Sequence, residues 1–158
     1  MVFPAAVLIA GFGGADRKKA AMTFAIYTLV GSAPMMVALW YLLTVADNSL
    51  VLSLAVAIQN LEPSMQVTLL VCFLLAFLVK TPLFPFHGWQ AITYAEAPAP
   101  LSAILTGAMS KAGVFGFIAW VLPVFPFNMT EISTMVWLGL ASAIYGALMA
   151  LRARDGKK

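Results

Sequence analysis

Three side chains in this sequence can trade protons in a place where charge is expensive. Between Glu62 and Glu96 the only ionisable groups besides Lys80 and His87 are Cys72 and Tyr94, and the fifteen residues from Met65 to Val79 are overwhelmingly apolar. At 1.5 Å per residue, that run carries Lys80 roughly 22 Å into a hydrocarbon layer about 30 Å thick. A charge near the bilayer centre costs roughly 2.5 to 3.5 kcal/mol on insertion scales, so it is seldom there without a task. Lys111 lies thirty-one residues further along, inside the next apolar run, and roughly 16 Å deep by the same rise. An ammonium group stripped of water gives up its proton more readily than one in solution, and a second ammonium nearby adds to that tendency. His87 is a relay candidate between water and the lysines, because an imidazole can both accept and donate a proton. None of the six acids, Asp16, Asp47, Glu62, Glu96, Glu131 and Asp155, falls in a predicted span, so the lysines have no counter-charge in this sequence. The plainer alternatives are that Lys80 snorkels to the interface and that His87 ties a helix end to backbone carbonyls.

The element that must position these groups is the stretch KTPLFPFHGWQ, Lys80 to Gln90. Pro82 and Pro85 each lack an N–H and each clash with the carbonyl four residues back, at Leu78 and Thr81, which predicts a helix broken over 81–86. Carbonyls stranded at membrane depth are tolerated only where protein or a water-filled cavity supplies partners. Broken helices of this kind are where transporters place their ion sites.

Hydrophobic residues make up 63% of the 158 residues and charged residues 9%, with a mean hydropathy of +0.97. The predicted class is an all-α polytopic membrane protein. The basic isoelectric point, about 9.2, is no sign of nucleic-acid binding, because the cations sit in short loops beside apolar runs without a basic or aromatic stripe. Cys72 is the single cysteine, so the sequence encodes no iron–sulfur ligand set; nor does it encode a histidine pair for haem or a nucleotide-binding glycine loop after a strand. No metal site and no redox cofactor are expected in this chain.

The predicted spans are 1–12, which is partial, then 21–46, 65–90 with its break at 81–86, 101–122 and 133–151, with a short interfacial helix over 49–61. In the second span Thr28 or Ser32 is a candidate partner for the backbone group freed by Pro34. Ala103 with Gly107, then Gly113 and Gly116, and later Gly139, Ala143 and Ala147, form thin stripes for close helix packing. The loop cations Arg17, Lys18 and Lys19 and the tail cations Arg152, Arg154, Lys157 and Lys158 all fall on one side if crossings alternate, which marks that side as cytoplasmic. The chain reads as a piece of a longer protein, opening partway through a span.

The segments KTPLFPFHGW and EAPAPLSAILTGAMSKAG resemble the antiporter-like subunits of respiratory complex I, NADH-quinone oxidoreductase, whose pattern is K-x-P-x-x-P-x-H-x-W followed by a second lysine in the next helix. Phe125-Pro126 and the run from Tyr145 to Lys158 favour the subunit M, or chain 4, branch. The resemblance extends over nearly the whole chain, and the wider superfamily includes Mrp-type sodium/proton antiporters and membrane-bound hydrogenases. It implies an antiporter-like helix bundle in a bacterial inner membrane that translocates protons while electrons pass through other subunits, which hold the NADH site, FMN, the iron–sulfur clusters and the quinone site. It casts Lys80 as the lysine of the discontinuous helix, Lys111 as the lysine linking half-channels and His87 as a polar relay. The family's glutamate falls just before Met1 by the motif. After Trp89 this chain departs from the family's W-x-P-D-A-H pattern, with Gln90-Ala91-Ile92-Thr93-Tyr94 in its place. A sodium/proton antiporter working without electron transfer, and a structural membrane scaffold, are the alternative functions.

Overall fold

A computed structural model of the chain describes residues 2–46 and 50–152. Met1, Asp47, Ser49 at the start of the predicted interfacial helix, and Arg154, Asp155, Lys157 and Lys158 of the tail lie outside the described residues. The helices in chain order are α1 (Val2–Phe12), α2 (Arg17–Val45), α3 (Val51–Gln59), α4 (Pro63–Lys80) and α5 (Gly88–Glu96). They are followed by α6 (Ala99–Val124) and α7 (Met129–Arg152), and no strand occurs among the described residues. Among the described residues, α2, α4, α6 and α7 are the 4 helices long and apolar enough to cross a membrane.

Two ends of the bundle are defined by hydrogen bonds and packing. The Gly14 amide donates to the Glu96 carbonyl and the Asp16 amide to the Glu96 carboxylate, both at 3.0 Å, so the α1–α2 turn and the end of α5 lie together. Arg17 adds a bond from its guanidinium to the Gly11 carbonyl at 3.1 Å, tying the start of α2 to the end of α1. At the opposite end α3 buries Leu54 and Ile58 with Leu42 of α2, Leu69 of α4 and Val124 of α6. A second core, made of Ile9, Ala20, Phe24, Val79, Trp89, Ala97 and Leu105, fills the end where α1 and α5 sit.

α2 is the spine that joins both cores. It packs along α4 and α5 in turn, with Phe24 against Trp89 at 5.5 Å between ring centroids and Gly31 against Val79. A Cβ on Gly31 would lie 2.8 to 2.9 Å from the Val79 side chain, so only glycine lets the two helices meet at this level. Thr28 is buried, but its hydroxyl donates to the carbonyls of Phe24 at 2.6 Å and Ala25 at 3.2 Å, within the preceding turn. The carbonyl freed by Pro34 belongs to Val30, so Thr28 does not fill the role expected of it.

Three further expectations are corrected. Residues 91–96, expected between the spans, are helical to Glu96, because Trp89 and Thr93, four apart on one face, are both buried against the bundle. α6 is not a uniform helix: Leu105–Met109 and Phe117–Val121 are π-helical turns on either side of Lys111, closed by bonds from Ser110 to Leu105 and from Leu122 to Phe117. Hydrophobic periodicity carries no signal for such turns. The small-residue stripes also divide. Gly113 and Gly116 meet Thr81 and Phe77 of the α4 end, whereas Gly107 and Gly139 face open space.

Gly31→Ala is expected to destabilise the membrane-embedded protein by about 1–3 kcal/mol through overpacking, with partial recovery when Val79→Ala is added. Reversible unfolding in detergent micelles measures both, and independent, additive effects would contradict the contact.

Candidate functional site

Several backbone groups at the break between α4 and α5 find partners outside the regular helical ladder. The Thr81 amide and hydroxyl both donate to the Phe77 carbonyl, at 2.8 and 2.6 Å, closing the last turn of α4. Pro82 has no N–H to offer Leu78, and the Leu83 amide takes that carbonyl instead at 3.1 Å. The Trp89 indole N–H reaches back from α5 to the Val79 carbonyl at 3.0 Å, in a buried bond across the break. The Phe84 amide donates to the Ser142 hydroxyl of α7 at 2.8 Å, and the Phe86 amide to the Leu83 carbonyl at 2.7 Å. Of the two carbonyls that the prolines threaten, the one at Leu78 is thus rebonded locally, while the α5 indole serves the Val79 carbonyl and the α7 hydroxyl the Phe84 amide.

Lys80 is the last residue of α4 and is half-buried. Its ammonium group stands where the helix dipole favours a cation. α6 passes directly behind it: a Cβ on Gly113 would lie 2.8 Å from Thr81 Cγ2 and 3.2 Å from Lys80 Cβ. Lys111, two residues earlier on α6, points to an exposed face, so the structure brings the helices of the two lysines together without turning both side chains to one site. Next to Lys111, Ser110 and Tyr94 of α5 place their hydroxyl oxygens 3.3 Å apart. Among the described residues, neither lysine side chain has a hydrogen-bond or ion-pair partner.

His87 lies at the start of α5 in a cage of rings, stacked on Phe84 at 5.8 Å and edge-on to Tyr145 at 4.9 Å. Its Nδ1 is buried and unpartnered. The imidazole lines an open cavity of about 980 Å³ between α5 and α7, which also touches Pro82 and Phe84 of the break. α5 runs away from His87 toward Glu96, and at that end the same cavity is lined by Asp16, Lys19, Glu96 and Arg152. It therefore connects a charged end of the bundle with the helix break. An arrangement of this kind can admit water and pass protons along a histidine toward a lysine. No group of acids, histidines and cysteines among the described residues could hold a metal ion.

The sequence directs attention to Lys80, Pro82, Pro85, His87 and Lys111 but gives no reason to select Ser142 or Tyr145, which sit in a run resembling a small-residue packing face. Trp89 carries a signal only in its spacing, since a buried indole ten residues after Val79 needs an acceptor for its N–H.

Over residues 1–158 the chain matches the family described as NADH:quinone oxidoreductase/Mrp antiporter, TM. It is 32% identical to NADH-quinone oxidoreductase subunit M of Rickettsia prowazekii, covering 100% of this chain and 32% of that protein. It is 36% identical to NADH-ubiquinone oxidoreductase chain 4 of Chondrus crispus, again over 100% of this chain and 32% of the relative. Among solved structures, a chain of respiratory complex I from Thermus thermophilus with bound NADH superposes with a TM-score of 0.85 at 33% identity, over 99% of this chain and 34% of that one. The chain spans about a third of the length of these relatives.

Trp89→Phe keeps a ring in the core but leaves the Val79 carbonyl buried without a donor, which is expected to cost about 1–3 kcal/mol. Reversible unfolding in micelles checks this, and wild-type stability in that variant would show that the indole bond does not hold the break.

Proposed function

The chain belongs to the NADH:quinone oxidoreductase/Mrp antiporter transmembrane family, and from that premise we propose that it is the part of a complex I membrane subunit that carries protons across the bilayer. The observation that carries this reading is a helix broken directly after Lys80, with an open cavity that begins among Asp16, Lys19, Glu96 and Arg152 and reaches Pro82, Phe84 and His87 of the break. Protons enter at the charged end, pass along the cavity to His87, are exchanged by Lys80, and move on by way of Lys111. Relatives named subunit M and chain 4 favour the complex I branch over an Mrp-type antiporter.

The end bearing Arg17, Lys18, Lys19 and Arg152 faces the cytoplasm of a bacterial inner membrane, in keeping with the excess of basic residues that cytoplasmic loops carry. The exposed face with Lys111 is covered by other protein of the same complex, because a lysine at that depth is stable only against protein or water. NADH, FMN, iron–sulfur clusters and quinone belong to other subunits. Electron transfer in those subunits drives the translocation, and this chain contributes the titrating side chains and the hydrated break.

Lys80 is the more critical lysine, since it alone adjoins a backbone break whose loss alters both charge and hydration. In the complete complex, Lys80→Ala should abolish most proton pumping while assembly is retained. Lys80→Arg should fail as well, because a guanidinium keeps its proton throughout the accessible pH range. Lys111→Ala should lower pumping in the same direction by less. Proton-to-electron ratios in reconstituted vesicles decide the matter: a wild-type ratio in Lys80→Arg would reduce Lys80 to a fixed charge, and tolerance of neutral replacements at both lysines would point to a scaffold.

A further inference from the structure

α7 carries no buried residue along its length, so apolar burial against the other described helices does not fix where it sits. Its specific contacts fall at the break instead. Ser142 accepts the Phe84 amide at 2.8 Å, and Tyr145, three residues on and therefore on the same face, packs on Phe84 at 5.1 Å and on His87 at 4.9 Å. Phe84 in turn stacks on His87, with 27° between the ring planes.

These contacts form a connected series. The hydroxyl of Ser142 pins the backbone of Phe84, the backbone sets the Phe84 ring, and that ring together with Tyr145 encloses the imidazole from two sides. The enclosed Nδ1 is buried and has no partner, so among the described residues it is the ring contacts, not a hydrogen bond at Nδ1, that orient the imidazole. Ser142 and Tyr145 line the same cavity as His87. Any movement of α7 changes that enclosure.

We propose that Ser142 and Tyr145 are positioning residues for proton transfer: through the Phe84 amide bond and the ring contacts with His87, they hold the imidazole at the break in its transfer orientation. This inference rests on the proton-translocation reading of the cavity. The hydroxyl is the needed group at Ser142, and the ring, rather than the phenol oxygen, is the needed group at Tyr145.

The test uses the intact complex with four variants, Ser142→Ala, Ser142→Thr, Tyr145→Leu and Tyr145→Phe. Two measurements are made on each. One is the rate at which diethyl pyrocarbonate acylates His87, followed by mass spectrometry of its peptide; the other is the proton-to-electron ratio in vesicles. Loss of one neutral hydrogen bond shifts an opening equilibrium by about fivefold, so Ser142→Ala should raise the acylation rate by about that factor and lower the ratio. Tyr145→Leu should act in the same direction, and the Thr and Phe variants should behave as wild type. Wild-type acylation in the Ala and Leu variants overturns the proposal, as does raised acylation with an unchanged ratio. Failure of those two variants to assemble also overturns it, because the contacts would then be structural. The two readings fail separately: a wild-type ratio in Lys80→Arg removes proton exchange at Lys80, while the acylation measurement still reports whether α7 positions His87.

Discussion

A helix that stops inside a bilayer must have its last carbonyls met by something other than its own continuation, and the rest of this fold follows from how that is done. At Val79 the donor is the Trp89 indole, reaching back from the next helix. The two half-helices are thereby joined by a side chain where the backbone ladder is missing. A lost amide bond at membrane depth would cost several kcal/mol if nothing replaced it, so the indole bond, the Leu83 amide on Leu78 and the Thr81 hydroxyl on Phe77 make a broken helix compatible with a stable fold.

α2 supplies the second condition. It runs unbroken over Arg17–Val45, roughly 43 Å at 1.5 Å per residue, and so spans both half-helices and the gap between them. The core around α3 grips its far half and the core around α5 its near half, and the break lies at the level where the two cores meet. Gly31 on one side and Gly113 on the other let α2 and α6 close on the end of α4 at that level. The irregular residues 81–87 are thus held between continuous helices, which allows local polarity without loss of the bundle.

Most of this plan was legible in the sequence because it rests on chemistry that only a few residue types supply. Two prolines five and two residues before His87 mark the end of a helix wherever they occur, and a lysine in an apolar run is conspicuous on hydropathy alone. What escaped depended on relations between distant segments. Ser142 carries an ordinary helical hydroxyl until Phe84, fifty-eight residues away, needs an acceptor. The π-helical turns of α6 leave no trace in periodicity. Small residues at helical spacing are a weaker guide than they look: Gly113 and Gly116 meet the α4 end, yet Gly107 on the same helix meets nothing within 4 Å, since a stripe shows only that a neighbour is sterically possible.

The two lysines differ in what surrounds their backbone. Lys80 ends a helix that the prolines do not let continue, and the cavity at the break begins two residues further on, at Pro82. Lys111 sits in a helix whose two irregular turns are still closed by bonds to the fifth residue; they widen the coil without stranding it. Hydration of Lys111 cannot therefore come from its own backbone. Its side chain lies on the exposed face of α6, whereas Lys80 is half-buried at the end of α4, next to the residues that line the cavity at the break.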